Sequence, residues 1–163
     1  MSKLAMPKVD RKILSIKAEV VENLKKIIKA ENVLDHEDQI RPFETDALSA
    51  YKQKPLVVVF PENTQEVSKI LAYCNQKRIK IVPRGAGTGL SGGALPLVDS
   101  ILLCLSKFNK IIEIDYKNRC VVVQPGVTNL SITQAVEEKG FYYAPDPSSQ
   151  IACSIGGNVA ENS

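Results

Sequence analysis

The first regular pattern along the chain is an apolar stripe near the N-terminus. Its hydrophobic side chains recur at spacings of three and four residues, the repeat of one face of an α-helix. The stripe consists of Ile13, Ile16, Val20, Leu24, Ile27 and Ile28. Lysines and glutamates fill the intervening positions, so the pattern predicts an amphipathic helix over residues 12–30 with one packed face.

The periodicity weakens over residues 31–54, which carry many charges and Pro42. Such a stretch is typical of a connection between two structural units. We therefore expect an N-terminal helical segment over residues 1–54 and a second unit over residues 55–163.

The second unit begins with a strand, a helix and another strand. Residues 56–60 are an uninterrupted apolar run, which is typical of a strand buried on both faces. An amphipathic helix follows, with Asn63 or Thr64 at its N-cap and Glu66 placed to complete a capping box. Residues 79–82 return to a strand pattern. This order predicts a βαβ unit with parallel strands.

Three further β-rich runs follow, over residues 101–105, 111–114 and 120–124, with short polar stretches between them. They predict a β-meander. A last long helix is predicted over residues 128–139, ended by Gly140. Together these elements predict an α+β fold composed of an N-terminal helix, a βαβ unit and a β-meander.

A glycine-rich loop lies directly behind the strand predicted at residues 79–82. Five of the nine glycines of the chain fall within residues 83–93. Ordering so many glycines costs much backbone entropy, so we expect the segment to need positive φ angles or bare N–H groups close to a ligand. Successive exposed N–H groups form a partly positive concavity that suits phosphate or pyrophosphate. We interpret the loop as a site for a phosphate-bearing ligand.

Other interpretations of this loop are open. Residues 87–92 fit the G-x-G-x-x-G spacing of a Rossmann-type nucleotide-binding module, but that fingerprint must open a helix. Here Gly93 and Pro96 lie where the helix would run, and the next ordered stretch is β-like. No Gly-Lys-Ser or Gly-Lys-Thr is present, so an ATPase phosphate loop is not supported. Glycines that serve only tight turns are a third alternative.

A second unusual segment closes the chain. Residues 144–149 hold two prolines that favour an extended turn, and residues 155–163 include Gly156 and Gly157, which open access to the backbone. Asp146 lies between the prolines, where we expect a turn residue rather than a catalytic base. A chain that stops directly after such a motif looks cut off within a domain.

Composition narrows the class of protein. The 163 residues are 44% hydrophobic and 24% charged, which is typical of a globular chain. Mixed charges with a net value of +3 form no basic stripe, so nucleic acid is not an expected partner. The longest apolar runs are strand-sized, and the N-terminus lacks the apolar core of a secretory signal. We therefore expect a cytoplasmic protein without a transmembrane segment.

The four cysteines are widely separated, and His36 is the single histidine of the chain. No spacing suits a metal ion, so no metal site is expected. We expect Cys74, Cys104 and Cys120 to be small buried hydrophobic residues of a helix and two strands.

In combination, the motifs resemble those of the FAD-linked oxidases of the vanillyl-alcohol-oxidase type. The matching stretches are residues 83–94, 124–127, 145–149 and 155–163. Within that family they are most similar to glycolate oxidase flavin subunits and D-lactate dehydrogenases. The resemblance extends over about residues 12–163. It implies the N-terminal part of a vanillyl-alcohol-oxidase-type FAD-binding domain.

The resemblance implies that FAD is the ligand of the glycine loop. Backbone N–H groups of residues 84–91 would hold the pyrophosphate, with the hydroxyls of Thr88 and Ser91 as further donors, while the second segment would lie along the flavin and its ribityl chain. The expected cofactor-binding residues are Pro83, Arg84, Gly85, Ala86, Gly87, Thr88, Gly89, Leu90, Ser91, Pro145, Asp146, Ser148, Gly156, Gly157 and Asn158. Some relatives attach flavin through a histidine of this loop. Thr88 stands at that position here, so we expect non-covalent FAD.

For the full-length protein the resemblance implies oxidation of a 2-hydroxy acid, of the glycolate or D-lactate type, to the 2-oxo acid. The implied partners are the hydroxy acid and an electron acceptor or other oxidase subunits, in a complex that can lie against the inner face of the membrane. No catalytic residue is assigned, because the family's substrate residues lie in a C-terminal domain. The chain alone is expected to be inactive and to bind FAD weakly or not at all. A cofactor-free scaffold subunit is the remaining alternative.

Arg84 has two open interpretations. Its guanidinium can be a phosphate partner, or it can point away from the loop or pair with an acid such as Glu44 or Asp46.

Overall fold

The computed structural model describes residues 6–145 and 147–162. They form a four-stranded mixed sheet with helices, and a separate two-stranded hairpin. The strands are β1 (Val33–Leu34), β2 (Val57–Val59), β3 (Lys80–Arg84), β4 (Ser100–Cys104), β5 (Ile111–Asp115) and β6 (Cys120–Val123). The helices are α1 (Arg11–Ser15), α2 (Lys17–Ile27), α3 (Glu37–Ile40), α4 (Thr64–Lys77), α5 (Asn129–Val136) and α6 (Ile155–Glu161). Short 3₁₀ turns span Ala30–Asn32, Arg41–Phe43 and Glu137–Lys139.

The predicted N-terminal helix is present as two consecutive helices, α1 and α2. The break lies at Ile16, whose N–H bonds the carbonyl of Ile13 in a tighter turn instead of continuing the α-helical ladder. The apolar stripe is buried as predicted, with Val20 and Leu24 at 0% exposure. Both pack in one hydrophobic cluster with residues of the sheet.

The centre of the sheet is fully buried. All three residues of β2 have no solvent exposure. Val57 and Val59 belong to the cluster that includes α2 and α4, whereas Val58 packs with Ile40 and Leu102 on the opposite face. The predicted strand buried on both faces is therefore confirmed.

The strand order in the sheet is β1-β2-β4-β3, with β1 antiparallel and the other three parallel. The predicted βαβ unit of β2, α4 and β3 is confirmed, but β4 lies between its two strands. Leu102 is the register partner of both Val58 and Val82. The sheet therefore places the loops that leave β3 and β4 side by side at its carboxyl edge.

One part of the predicted meander is wrong. The run at residues 101–105 does not pair with the following strands, because β4, buried at all five positions, fills the middle of the parallel sheet. Only β5 and β6 form the expected antiparallel hairpin, with an irregularity between Ile111 and Glu113.

The helix ends follow the predicted signals. Asn63 caps α4 by accepting a 2.9 Å hydrogen bond from the Glu66 N–H. Thr128 caps α5, which is shorter than predicted because its last turn tightens into a 3₁₀ turn before Gly140, at φ 76°. The division of the chain at residue 54 stays a prediction.

Two of the three cysteines expected to be buried are buried. Burial raises the pKa of the Cys74 and Cys104 thiols to about 12. Cys120 is exposed, so that expectation is wrong: its strand belongs to the hairpin, outside the main sheet.

Within the described residues, no cluster of side chains could hold a metal ion. None of the helices in the same ranges has the length and apolar character needed to cross a membrane.

A polar network joins the segments that follow β2, α2 and β4. The Glu62 carboxylate, after β2, accepts hydrogen bonds from Lys29 at 2.8 Å, Asn32 at 3.0 Å and Lys107 at 3.2 Å. These hydrogen bonds lower the pKa of Glu62 from 4.5 to about 2. The network connects the loop after β4 to the end of α2.

We expect Glu62→Gln to change how folding stability depends on pH. A carboxyl whose pKa is lower in the folded state stabilises the fold above its unfolded pKa, and this contribution is lost as the pH falls through the folded value. Wild type should therefore exceed the variant in urea-unfolding midpoint at pH 7, and the difference should shrink between about pH 4.5 and about pH 2. Glu22→Gln, on an exposed position of α2, is the matched control. An equal difference at all pH values would contradict this assignment.

Candidate cofactor site

A cleft of about 740 Å³ opens between the glycine loop and helix α6. It brings together the two segments that the sequence singled out separately. Its lining residues are Pro83, Arg84, Gly85, Ala86, Gly87, Thr88, Gly89, Leu90, Gly93, Ala94, Leu105, Pro125, Pro147, Ser149, Cys153, Ser154, Gly156, Gly157, Asn158, Ala160 and Glu161.

The loop between β3 and β4 contains no helix. Every residue from 85 to 99 is described, and the next regular element is strand β4. Gly87 and Gly92 have φ angles of 72° and 77°, a backbone region that favours glycine. A Rossmann-type loop requires a helix at this point, so the Rossmann alternative is wrong.

The backbone N–H groups of the glycine loop find no acceptor in residues 6–145 and 147–162. From Gly85 to Ala94, none of them donates to an acceptor among the described residues. Two loop carbonyls are engaged, because Gly87 O accepts from the Ala47 N–H at 2.9 Å and Gly92 O from the Leu95 N–H at 3.2 Å. A run of main-chain donors beside an open cleft needs acceptors from water or from a ligand, and an anion supplies several at once.

The opposite wall is the first turn of α6, and its N–H groups are already satisfied. Gly156 donates to the Pro125 carbonyl at 2.8 Å, and Ile155 donates to the Val127 carbonyl at 2.8 Å. A Cβ on Gly156 would lie 2.7 Å from the Pro125 Cβ, so this glycine permits close packing between the two segments. The helix end is therefore a packed wall of the cleft, and the N–H groups without an acceptor in the described part of the chain belong to the loop.

Asn158 connects helix α6, in the cleft wall, to two segments behind it. Its side chain is buried, and its amide donates to Asn129 Oδ1 at 2.6 Å. Asn129 in turn donates to the Pro145 carbonyl at 3.1 Å. The Asn158 side chain thus fixes α6 against α5 and the extended segment before residue 146.

Eight consecutive predicted residues, 83–90, line the cleft together with Gly156, Gly157 and Asn158. Ser91, Pro145 and Ser148 are not among its lining residues, and Asp146 lies outside the described residues. The Ser91 hydroxyl instead donates to Glu161 Oε2 at 3.1 Å. The cofactor-binding role of the predicted residues stays a prediction.

Sequence reasoning missed several lining residues. Pro147 and Ser149 lie beside predicted positions, whereas Leu105 depends on the pairing of β4 with β3, which no local pattern reveals. Glu161 belongs to a recognised motif, but the motif alone gives it no role. Its Oε1 lies 3.3 Å from where a Cβ on Gly89 or on Gly93 would stand, so a carboxylate faces one end of the loop.

Among the described residues, Arg84 and Glu161 are the two charged side chains in the lining. The Arg84 guanidinium donates to the main-chain carbonyls of Thr45 at 2.7 Å and Phe43 at 3.3 Å. No ion pair joins Arg84 to Glu44 or Asp46 within residues 6–145 and 147–162. These two charges are opposite in sign, so attraction of an anion to the loop would come mainly from its peptide N–H dipoles.

Solved structures share this fold. The 4-ethylphenol oxidase from Gulosibacter chungangensis has a TM-score of 0.78 and 26% identity, over 94% of this chain and 30% of that protein. The expected fold class is confirmed: the fold is that of the N-terminal part of a vanillyl-alcohol-oxidase-type FAD-binding domain.

The family model described as "FAD binding domain" matches residues 55–163, and the chain belongs to this family. It is 51% identical to glycolate oxidase subunit GlcD of Escherichia coli K12 over 158 residues, which are 97% of this chain and 30% of that protein. It is 37% identical to D-lactate dehydrogenase of Anaerostipes hadrus over 145 residues, or 88% of this chain and 30% of that protein. The chain therefore spans about a third of these relatives. The expected resemblance and the expected cofactor, FAD, are confirmed.

A double-mutant cycle tests how the cleft walls fit together. In Gly85→Ala the new Cβ would overlap the Ser154 hydroxyl oxygen, so we expect the free energy of unfolding to fall by about 1–3 kcal/mol. Ser154→Ala removes that oxygen and also the α6 cap, at about 1 kcal/mol. The double variant should be more stable than the sum of the two losses, measured by urea unfolding. Additive losses would show that Gly85 and Ser154 do not meet.

Proposed function

We propose that this chain is the FAD-carrying portion of an oxidoreductase that converts a 2-hydroxy acid, of the glycolate or D-lactate type, to the 2-oxo acid. The observation that carries the proposal is the row of unpartnered N–H groups from Gly85 to Ala94 beside the cleft, among the residues that the structure describes. The names of two relatives, a glycolate oxidase subunit and a D-lactate dehydrogenase, support this substrate class.

The residues of the cleft fit a dinucleotide cofactor. The volume of the cleft, about 740 Å³, lies in the range of small-molecule sites. Peptide N–H groups at the start of the loop, residues 85–88, would hold the diphosphate, as aligned amides satisfy phosphate oxygens without a lysine. Gly87 suits this role because its positive φ permits a tight turn in which the backbone itself is presented to a ligand.

The negative charge of Glu161 lies at one end of the loop and makes the two ends of the cleft different. A carboxylate and a diphosphate repel each other, so we expect the diphosphate near Gly85–Thr88 and away from Gly89 and Gly93, which face Glu161. A carboxylate accepts hydrogen bonds from hydroxyl groups, so the Glu161 end suits a hydroxyl-bearing part of FAD.

The chemistry of the reaction belongs to the cofactor. When bound, FAD accepts the equivalent of a hydride from the substrate carbon. The residues of this chain bind and orient the cofactor, and the apolar lining residues Leu105 and Pro125 limit water along the cleft. We assign no catalytic side chain to the chain, and Thr88 at the position of the family's attachment histidine favours non-covalent FAD.

The function is tested with the full-length protein. We expect a visible flavin spectrum, release of intact FAD into the supernatant after acid precipitation, and reduction of a dye acceptor by members of a panel of D- and L-2-hydroxy acids. A flavin spectrum without turnover of any hydroxy acid would overturn the substrate class. Absence of flavin would favour a cofactor-free scaffold.

Gly87→Val should abolish FAD binding in the full-length protein while leaving the sheet intact. A β-branched side chain is strained at φ 72°, and its Cβ would lie 2.7 Å from the Arg84 Nε, so the loop must move. Gly140→Val is the matched control, because Gly140 has φ 76° but a Cβ there would meet no atom within 4 Å. Flavin content per protein and circular dichroism give the comparison. Normal flavin content in Gly87→Val would show that the loop has another role.

A further inference from the structure

The side chain of Arg84 is held on the side of the cleft away from α6. Its guanidinium donates to the carbonyls of Thr45 and Phe43, and its Cζ lies 5.9 Å from the centre of the Phe43 ring. The ring is itself packed edge-on against Phe60, 5.8 Å away. The two hydrogen bonds from the planar guanidinium, together with its contact with the Phe43 ring, fix the group in one orientation.

The segment that holds Arg84 also contacts the glycine loop directly. The Ala47 N–H donates to the Gly87 carbonyl at 2.9 Å. Leu48 lies against Gly92, since a Cβ at Gly92 would stand 3.5 Å from Leu48 Cδ2. Residues 43–48, which we call the support segment, therefore contact the loop at its start, its middle and its far end.

The support segment is stabilised by its own hydrogen bonds. The Glu44 carbonyl accepts from the Gln53 N–H at 2.7 Å, and the Thr45 hydroxyl donates to the Tyr51 carbonyl at 3.0 Å. Asp46 is buried, at 6% exposure, and its Oδ1 accepts from the Leu48 N–H at 2.9 Å. These closed turns present the carbonyls of Phe43 and Thr45 to Arg84 in a fixed arrangement.

The position of the guanidinium relative to Gly87 separates two roles for Arg84. A Cβ on Gly87 would lie 2.7 Å from Nε and 2.8 Å from Cζ of Arg84, so the guanidinium packs against the loop backbone on that side. Its hydrogen bonds go to main-chain carbonyls of the support segment. A guanidinium placed in this way supports the turn at Gly87, and fewer of its N–H groups are available to a phosphate.

We propose that the support segment and Arg84 hold the glycine loop in its cofactor-binding shape, with Arg84 as a positioning residue and not a phosphate ligand. This inference rests on the proposed binding of FAD by the loop. It assigns a cofactor-related role to residues 43–48, which precede the range matched by the family model.

The test compares substitutions in the full-length apoprotein by FAD titration at several salt concentrations. Arg84→Met and Arg84→Lys should both raise the FAD dissociation constant about tenfold or more, because a lysine cannot reproduce the planar fork on two carbonyls. Phe43→Leu, outside the cleft lining, should raise it several-fold. The salt dependence of binding should stay as in wild type, because no ion pair to phosphate is lost. Arg11→Met, on an exposed position of α1, is the matched loss of charge and should bind as wild type.

A direct phosphate contact gives a different pattern. Arg84→Lys would then bind FAD within about twofold of wild type, whereas Arg84→Met would bind weakly with a reduced salt dependence. That result would overturn the inference, and so would unchanged FAD binding in Phe43→Leu. Urea unfolding of each apoprotein identifies variants that do not fold; Phe43→Leu and Arg84→Lys decide the question if Arg84→Met is among them. Failure of wild type to bind FAD would instead overturn the proposed function.

Discussion

The parallel pairing of β3 with β4 is the interaction on which the rest of the structure depends. β4 enters the sheet between the two strands of the βαβ unit, so that Leu102 lies opposite both Val58 and Val82. Because parallel strands end at the same edge, the loop after Arg84 and the residues after Cys104 leave the sheet as neighbours. The hydrogen bond from the Leu105 N–H to the Arg84 carbonyl, at 2.9 Å, extends this pairing to the base of the cleft. The position of the cleft therefore follows from the strand order.

Local signals in the sequence were sufficient to predict the helices and strands but not to predict which strands pair with each other. Asn63, Thr128 and Gly140 end or begin helices through bonds to residues a few positions away, so the sequence contains all the information needed. The pairing of β4 is a long-range event. Its continuous apolar pattern indicates burial and leaves the choice of neighbour open. The misplaced meander and the exposed Cys120 both come from this limit.

The candidate site shows the same division. The density of glycine in residues 83–93 indicated a loop with bare N–H groups, and the structure has a loop beside a cleft whose N–H groups meet no acceptor among the residues it describes. The acceptors of Arg84 were not predictable, because they are main-chain carbonyls of Phe43 and Thr45, whose positions depend on the folding of the segment before β2. Glu161 reaches the loop only because Gly156 packs against Pro125 and so fixes the direction of α6. A sequence identifies the chemical groups of such a site more readily than their mutual distances.

The donors proposed to hold the diphosphate are peptide N–H groups and not ionisable side chains. Peptide groups carry no titratable proton in the range where histidine, cysteine and lysine change charge. In the proposed role, the loop keeps the same donors in neutral and alkaline solution. The proposed role also tolerates substitution at Ala86 and Leu90 by any residue other than proline, because the backbone N–H is common to all of them.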